Sequence, residues 1–164
     1  MANRVDNVLF LCTGNSARSV MAEAILDRLG EGRFRALSAG ARPAGDIHPE
    51  TRALLQSLGY RTEGLRSKGW DEFSGEIGDE MDLVITVCDR AAKEACPVWP
   101  GHPLTAHWGF EDPPAFCGPD AERRAVFARV YNEIESSVKL LVKLPIGSLG
   151  SAGLKREIDA IGRR

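Results

Sequence analysis

The sequence predicts an α/β fold, a sandwich in which helices pack on a parallel β-sheet. Short apolar runs alternate along the chain with longer segments whose apolar residues recur at helical spacing. The short runs are continuously apolar, which is typical of parallel strands buried on both faces. Strands that alternate with helices in this way indicate an α/β protein.

The first predicted elements are a strand over residues 5–12, a helix over 17–29 and a strand over 34–38. The first strand is an apolar run closed by a turn signal. The helix carries apolar residues three and four positions apart, and Gly30 and Gly32 stop it.

The middle of the chain is predicted to hold a second helix, a single helical turn and a third strand. The helix begins at His48 and ends at Gly59, since the proline at position 49 suits a first helical turn. Residues 70–73 are expected to form the turn. The run Met-Asp-Leu-Val-Ile-Thr-Val over residues 81–87 predicts a central strand.

The last third of the chain is predicted to add two helices, a strand and an amphipathic tail. A short helix is expected over residues 89–95, because Pro97 lies just beyond its end. A fourth strand is expected over 104–108 and one long helix over 118–144. The tail, residues 145–164, is glycine-rich at first and then amphipathic.

Length and composition indicate one soluble domain covering residues 1–164. The chain has 164 residues, of which 43% are hydrophobic and 27% charged. A net charge of -2 argues against a protein that binds nucleic acid through bulk charge. The sequence has neither an apolar run of about 20 residues nor a signal-peptide core, so no membrane association is expected and the cytoplasm is the predicted location.

Cys12 follows the first predicted strand and opens a loop that leads to Arg18 and Ser19. Backbone N–H groups turned inward by such a loop, at a helix N-terminus, form a nest that binds an oxyanion. Arg18 adds a planar guanidinium that can hold two oxygens of the same anion. A cysteine in this positive field is expected to favour its thiolate, which makes Cys12 a predicted nucleophile. Cys88 also follows a predicted strand, so the two thiols are expected to share one pocket.

Four runs carry a resemblance to a known family. They are CTGNSARS at residues 12–19, LSAG at 37–40, VITVCD at 84–89 and TAHWGFEDP at 105–113. Together they resemble the low-molecular-weight tyrosine phosphatase superfamily and, within it, the arsenate reductases, which place a cysteine where this chain has Cys88. The resemblance implies a three-layer sandwich with a four-stranded parallel sheet and helices on both faces.

The resemblance also implies a role for each residue of the site. The backbone of the loop would bind the substrate through Thr13, Gly14, Asn15, Ser16, Ala17, Arg18 and Ser19. The Asn15 side chain would hold the shape of the loop, and Ser19 would donate a hydrogen bond to the Cys12 sulfur. Asp112 precedes a stiff Pro-Pro turn, and the resemblance makes it the general acid.

A thiol cascade is the expected chemistry of a member of the arsenate reductases. Ala17 stands where many phosphatases of the superfamily have a second cysteine, so a more distant thiol must form the disulfide. Cys12 would attack arsenate, Cys88 would attack the Cys12 sulfur and expel arsenite, and Cys96 would take over the disulfide. Thioredoxin would then reduce it, or glutathione with glutaredoxin if Cys96 is inert. No cofactor is expected. Cys117 is interpreted as incidental, and the sequence leaves open whether Cys96 or Cys117 is the final resolving thiol.

Two alternatives remain open at the level of the sequence. A phosphotyrosine phosphatase would use the same Cys12, Arg18 and Asp112 and would resolve the intermediate with water. A zinc-binding module is the second alternative. Its potential ligands would be Cys88, Cys96, His102, His107 and Cys117. Their spacing fits no compact zinc finger, so no metal is expected.

Overall fold

The computed structural model of the chain describes residues 5–73, 81–88 and 103–163. The strands in these ranges form one parallel sheet in the order β2-β1-β3-β4. They are β1 (Asp6–Cys12), β2 (Phe34–Gly40), β3 (Leu83–Thr86) and β4 (Leu104–His107). The predicted α/β fold with a four-stranded parallel sheet is therefore confirmed.

The α-helices of the described ranges lie close to their predicted positions. They are α1 (Arg18–Leu29), α2 (Pro49–Ser57), α3 (Asp120–Val142) and α4 (Ser151–Gly162). Short 3-10 turns occupy Trp70–Phe73, Pro113–Ala115 and Ile146–Ser148. None of the helices in the described part of the chain has the length and apolarity that a bilayer crossing requires.

The start of α2 and the length of β3 can be compared directly with the prediction. The His48 side chain accepts a hydrogen bond from the Glu50 N–H at 3.0 Å, so His48 caps α2 as its position before a proline suggested. The third strand covers Leu83–Thr86 and is shorter than predicted; next to its start, the Asn7 N–H donates to the Asp82 carboxylate at 2.7 Å. The helix predicted over 89–95 and Cys96 lie outside the described residues.

β1 lies in the middle of the sheet and is buried on both faces. Val8 and Phe10 pack into the cluster under α1, α3 and α4, whereas Leu9 and Leu11 pack on the opposite face with Trp70. All four strand residues are fully buried. This two-sided burial explains why the run is continuously apolar and why the loop that follows Cys12 starts from a rigid strand.

The C-terminal helix α4 packs against β4 and fixes the start of the loop that follows β4. The Trp108 indole N–H donates to the Ile158 carbonyl at 3.0 Å, and the Trp108 side chain is buried. Gly162 lies directly against the His107 carbonyl, where a Cβ would collide with that oxygen and lie 2.7 Å from Trp108 Cδ1. The helix can approach β4 this closely because position 162 has no side chain.

Replacing Gly162 with alanine is expected to lower the free energy of unfolding by about 1–3 kcal/mol, because the new methyl group overpacks the contact with β4. The matched control is Gly153→Ala in the same helix, where a Cβ would meet nothing closer than 3.7 Å. The control should leave stability unchanged or raise it by up to about 1 kcal/mol. Urea denaturation measures both; equal effects of the two substitutions would contradict the tight packing.

Candidate active site

The loop between β1 and α1, residues 12–18, has its carbonyl groups pointing away from its centre; we call it the oxyanion loop. The carbonyls of Thr13, Gly14 and Ser16 each accept a backbone hydrogen bond from the segment that follows β2. The donors are the N–H groups of Arg42, Ala44 and His48, each 2.9 Å from its acceptor. Since each N–H points opposite to the carbonyl of the preceding residue, the N–H groups of the loop face inward. This is the arrangement of an anion-binding nest.

The oxyanion loop can lie against the end of β2 only because residue 40 is glycine. A Cβ at Gly40 would lie 2.5 Å from the Thr13 carbonyl oxygen and 3.0 Å from the Asn15 nitrogen. Both neighbours are main-chain atoms that cannot move aside without opening the loop. The glycine that ends β2 is therefore part of the site.

The Cys12 sulfur lies at the bottom of the oxyanion loop, and the residue is only 3% exposed. Its Sγ atom is 2.8 Å from the Ser19 hydroxyl and accepts the Asn15 N–H at 3.1 Å. Burial raises the pKa of the Cys12 thiol above its ordinary value, while the Ser19 and Asn15 hydrogen bonds and the Arg18 charge act in the opposite direction. The expectation that the thiolate is favoured is wrong here, because desolvation outweighs the local positive field.

Asn15 holds the tightest point of the oxyanion loop. Its φ of 48° is in the left-handed region, which asparagine tolerates better than most residues. The Asn15 amide donates to the Ser19 hydroxyl at 2.7 Å and to the Ser38 hydroxyl at 3.0 Å. These contacts agree with the predicted role of Asn15 in holding the shape of the loop.

Arg18 begins α1 and joins the oxyanion loop to the loop after β4. Its guanidinium donates to the Phe110 carbonyl at 3.0 Å and lies 3.3 Å from the Asp112 carboxylate. The side chain of Arg18 is 12% exposed, that of Asp112 46%. The Arg18 charge is therefore shared with Asp112, which helps to explain why Arg18 does not overcome the effect of burial on Cys12.

One cavity brings most of the predicted residues together. It has a volume of about 510 Å³ and lies at the C-terminal ends of β1 and β3. Its lining consists of Cys12, Thr13, Gly14, Asn15, Ser16, Ala17, Arg18, Cys88, Phe110, Glu111, Asp112 and Pro114. Ser19 lies behind the sulfur, with no exposed surface. Nine of these twelve lining residues are ones that the sequence predicted for the site; Phe110, Glu111 and Pro114 are not.

Cys88 enters the cavity from the neighbouring strand. Val87 N donates to the Leu11 carbonyl at 2.8 Å and thereby continues the pairing of β1 with β3. This places the buried Cys88 next to the oxyanion loop, where its Sγ lies 3.6 Å from the Thr13 hydroxyl. The expectation that Cys12 and Cys88 share a pocket is confirmed.

Of the other two cysteines, the structure describes Cys117 alone. Cys96 lies outside the described residues, as does His102. Cys117 is exposed, and its thiol contacts the Ala115 carbonyl rather than the cavity. Within residues 5–73, 81–88 and 103–163, no three His, Cys, Asp or Glu side chains are grouped so as to hold a metal ion.

Sequence reasoning missed a layer of polar side chains beneath the oxyanion loop. Ser38, Glu23 and Lys68 form it, and Lys68 also donates its backbone N–H to the side-chain amide oxygen Oδ1 of Asn15 at 2.9 Å. A charged residue among the apolar positions of α1 was an available signal for Glu23. Lys68 lies in an irregular segment, where no periodicity could single it out.

The geometry therefore combines a buried thiol, a nest of backbone donors, a guanidinium and a carboxylate around one cavity. A tetrahedral oxyanion would be held by the nest and by Arg18. Cys12 lies at the base of that nest, where it can attack the central atom of the anion. Asp112 lines the same cavity beside Arg18, where it can give a proton to a leaving oxygen.

Comparison with known proteins agrees with this arrangement. Residues 7–158 match the family described as low molecular weight phosphotyrosine protein phosphatase. The arsenate reductase of Bacillus subtilis (strain 168) is 35% identical over 139 residues, which cover 85% of this chain and 95% of that protein.

Solved structures of arsenate reductases share the fold. The crystal structure of the arsenate reductase from Archaeoglobus fulgidus is similar with a TM-score of 0.65 and 31% identity, over 84% of this chain and 99% of that one. A thioredoxin-dependent arsenate reductase from Corynebacterium glutamicum has a TM-score of 0.62 and 26% identity, over 85% of this chain and 60% of that one.

Replacing Asp112 with asparagine is expected to tighten the binding of inorganic phosphate by about two- to fivefold, the range that corresponds to a partly exposed ion pair. The reason is that an oxyanion and the Asp112 carboxylate compete for the same guanidinium. Titration calorimetry measures the affinity. Glu111→Gln is the matched control, since the Glu111 carboxylate pairs with Arg129 instead. Weaker or unchanged phosphate binding by Asp112→Asn would refute the competition.

Replacing Ser19 with alanine is expected to raise the pKa of the Cys12 thiol further, because the serine hydroxyl is the largest of the effects that lower it. Less thiolate is then present at neutral pH, and iodoacetamide should alkylate Cys12 more slowly. The rate is measured across pH by mass spectrometry of the modified peptide. Ser136→Ala on the surface of α3 serves as the control and should react as the wild type does.

Proposed function

This chain belongs to the low molecular weight phosphotyrosine protein phosphatase family, and we propose that within this family it works as an arsenate reductase. The single observation that carries the proposal is the Cys88 thiol beside Thr13, on the same cavity as Cys12. A phosphatase that resolves its intermediate with water has no use for a second thiol there. A reductase needs one.

The reaction begins when arsenate binds in the oxyanion loop. Arg18 and the inward N–H groups hold the anion, and the Cys12 proton passes to an arsenate oxygen, which suits a thiol whose pKa is raised by burial. The resulting thiolate, hydrogen-bonded by Ser19, attacks arsenic and forms an S–As bond. Asp112 protonates the departing oxygen, which leaves as water.

The reducing step uses the second thiol of the cavity. The Cys88 thiolate attacks the Cys12 sulfur, so that an S–S bond forms while the S–As bond breaks. The electron pair of the broken bond stays on arsenic, which leaves as arsenite with arsenic reduced from +5 to +3. The two sulfurs are oxidised to a Cys12–Cys88 disulfide.

The remaining steps return the enzyme to its starting state. Cys96 attacks the Cys88 sulfur, which releases the Cys12 thiolate and leaves a Cys88–Cys96 disulfide. A dithiol reductant of the thioredoxin type then reduces that disulfide and is itself oxidised. The similarity to a thioredoxin-dependent arsenate reductase supports this choice over glutathione with glutaredoxin. The cytoplasmic location stays a prediction that suits such a reductant.

A second activity, weak phosphatase turnover, is proposed on the same geometry. Cys12, Arg18 and Asp112 are the groups that phosphoester hydrolysis needs, and phosphate has the shape and charge of arsenate. The thiol–phosphate intermediate would be resolved by water instead of by Cys88. Both activities therefore begin with attack by the Cys12 thiolate, and they differ in whether water or Cys88 resolves the intermediate.

Replacing single cysteines with serine is expected to separate these activities. Cys12→Ser should abolish both arsenite release and hydrolysis of p-nitrophenyl phosphate. Cys88→Ser should stop arsenate turnover but keep phosphate-ester hydrolysis, because water does not need the second thiol. Cys96→Ser should stop turnover with thioredoxin as the reductant. Arsenite release is measured with thioredoxin and its reductase, and separately with glutathione and glutaredoxin.

Cys117→Ser is the matched control, because Cys117 is an exposed thiol outside the cavity lining. It should turn over arsenate at the wild-type rate. If Cys88→Ser released arsenite as fast as the wild type, the reductase proposal would fail and the phosphatase activity would be the better account of the site.

A further inference from the structure

Two buried charges lie beneath the oxyanion loop and take no part in the proposed reaction. The side chain of Lys68 is 8% exposed and that of Glu23 13% exposed, and their charged ends are 3.4 Å apart. Neither lines the cavity. A buried ion pair is a poor way to gain stability, since its desolvation offsets much of its attraction. Its contacts suggest a different use.

The Lys68 ammonium has a partner for each of its three N–H bonds. It lies 3.0 Å from the Arg66 carbonyl, 3.2 Å from the Ser38 hydroxyl and 3.4 Å from the Glu23 carboxylate. The ammonium can only donate. The Ser38 oxygen must therefore accept the hydrogen bond from the Lys68 ammonium.

The Ser38 hydroxyl is held in one orientation by this arrangement. It donates its proton to the Glu23 carboxylate and accepts from Lys68 Nζ and, at 3.0 Å, from Asn15 Nδ2. A hydroxyl has one proton and two lone pairs, so each of the three partners has a fixed role.

Further hydrogen bonds lead from Asn15 through Ser19 to the Cys12 sulfur, each residue donating to the next. Asn15 Nδ2 gives its other proton to the Ser19 hydroxyl at 2.7 Å, while Asn15 Oδ1 accepts the Lys68 N–H. The Ser19 oxygen is thereby an acceptor, and its own proton is directed at the Cys12 sulfur, 2.8 Å away. Hydrogen bonds in such a chain polarise one another, which strengthens the last one.

We propose that Lys68 and Glu23 are positioning residues which, through Ser38 and Asn15, keep the Ser19 hydroxyl proton directed at the Cys12 sulfur. The proposal rests on the role of Cys12 as the nucleophile. Lys68 acts through two groups: its ammonium orients the Ser38 hydroxyl, and its backbone N–H orients the side-chain amide of Asn15.

The charge of Lys68 matters because it keeps Glu23 an acceptor. Burial raises the pKa of Glu23, and the charge of Asp27 adds to this, whereas Lys68 and the Ser38 hydrogen bond lower it. Without the ammonium, the Ser38 oxygen would lose one of its two donors and the Glu23 carboxylate would lose its cationic partner. The Ser38 hydroxyl could then turn away from Asn15, whose amide would keep only the backbone N–H of residue 68 to hold it beside Ser19.

Lys68→Met tests this, because methionine keeps an unbranched side chain but removes the charge and its donors. The rate of Cys12 alkylation by iodoacetamide is followed from pH 6 to 11 without arsenate, together with thermal unfolding. We expect the midpoint of the rate profile to move up by about one pH unit, which slows alkylation at pH 7 about tenfold. Lys139→Met on the exposed face of α3 is the matched control and should keep the wild-type profile.

The double variant Glu23→Gln/Lys68→Met leaves no unpaired buried charge, so it separates folding from positioning. It should regain stability relative to Lys68→Met and still show the raised midpoint. A wild-type midpoint in either variant overturns the proposal. If neither variant folds, Ser38→Ala, which removes the hydroxyl that links Lys68 and Glu23 to Asn15, is read in the same way. Because no arsenate is used, a wild type that fails to release arsenite would count against the proposed function and not against this one.

Discussion

The burial of the Cys12 sulfur at the end of a central strand is the constraint around which the site is arranged. An ionised sulfur loses its solvation there, and burial alone raises the pKa of the thiol. The thiolate can form only if fixed donors replace the lost water. The hydroxyl of Ser19 and the N–H of Asn15 are those donors, and their positions depend on a left-handed residue, on the missing side chain of Gly40 and on hydrogen bonds from a separate segment.

The pairing of Arg18 with Asp112 adds a second constraint, because one guanidinium serves two loops. While Arg18 contacts the Phe110 carbonyl and the Asp112 carboxylate, it holds the loop after β4 over the cavity. An arriving oxyanion takes part of that guanidinium and leaves Asp112 less strongly paired. In the proposed reaction, the bound anion therefore frees the Asp112 carboxylate to turn towards the leaving oxygen.

Sequence reasoning succeeded where one physical rule determines the outcome. The apolar runs predicted β1 and β3, and the rule that ligands bind at the C-terminal ends of parallel strands brought Cys12 and Cys88 together. It failed where two opposing effects had to be weighed, as in the pKa of Cys12, since burial is a property of the whole fold. It also missed Lys68, because the contacts of Lys68 with Glu23 and Ser38 join segments that only the tertiary structure brings together.

The position of Cys88 bears on which chemistry the cavity serves. Adjacent parallel strands place their C-terminal ends side by side, so a cysteine after β3 lies next to a loop that follows β1. For a phosphatase this is a liability, because oxidation could join the two sulfurs and remove the nucleophile. For a reductase the same disulfide is the product of the step that moves two electrons to arsenic. Phosphorus in phosphate does not accept those electrons under biological conditions, so the site we propose would hydrolyse a phosphate ester but reduce arsenate.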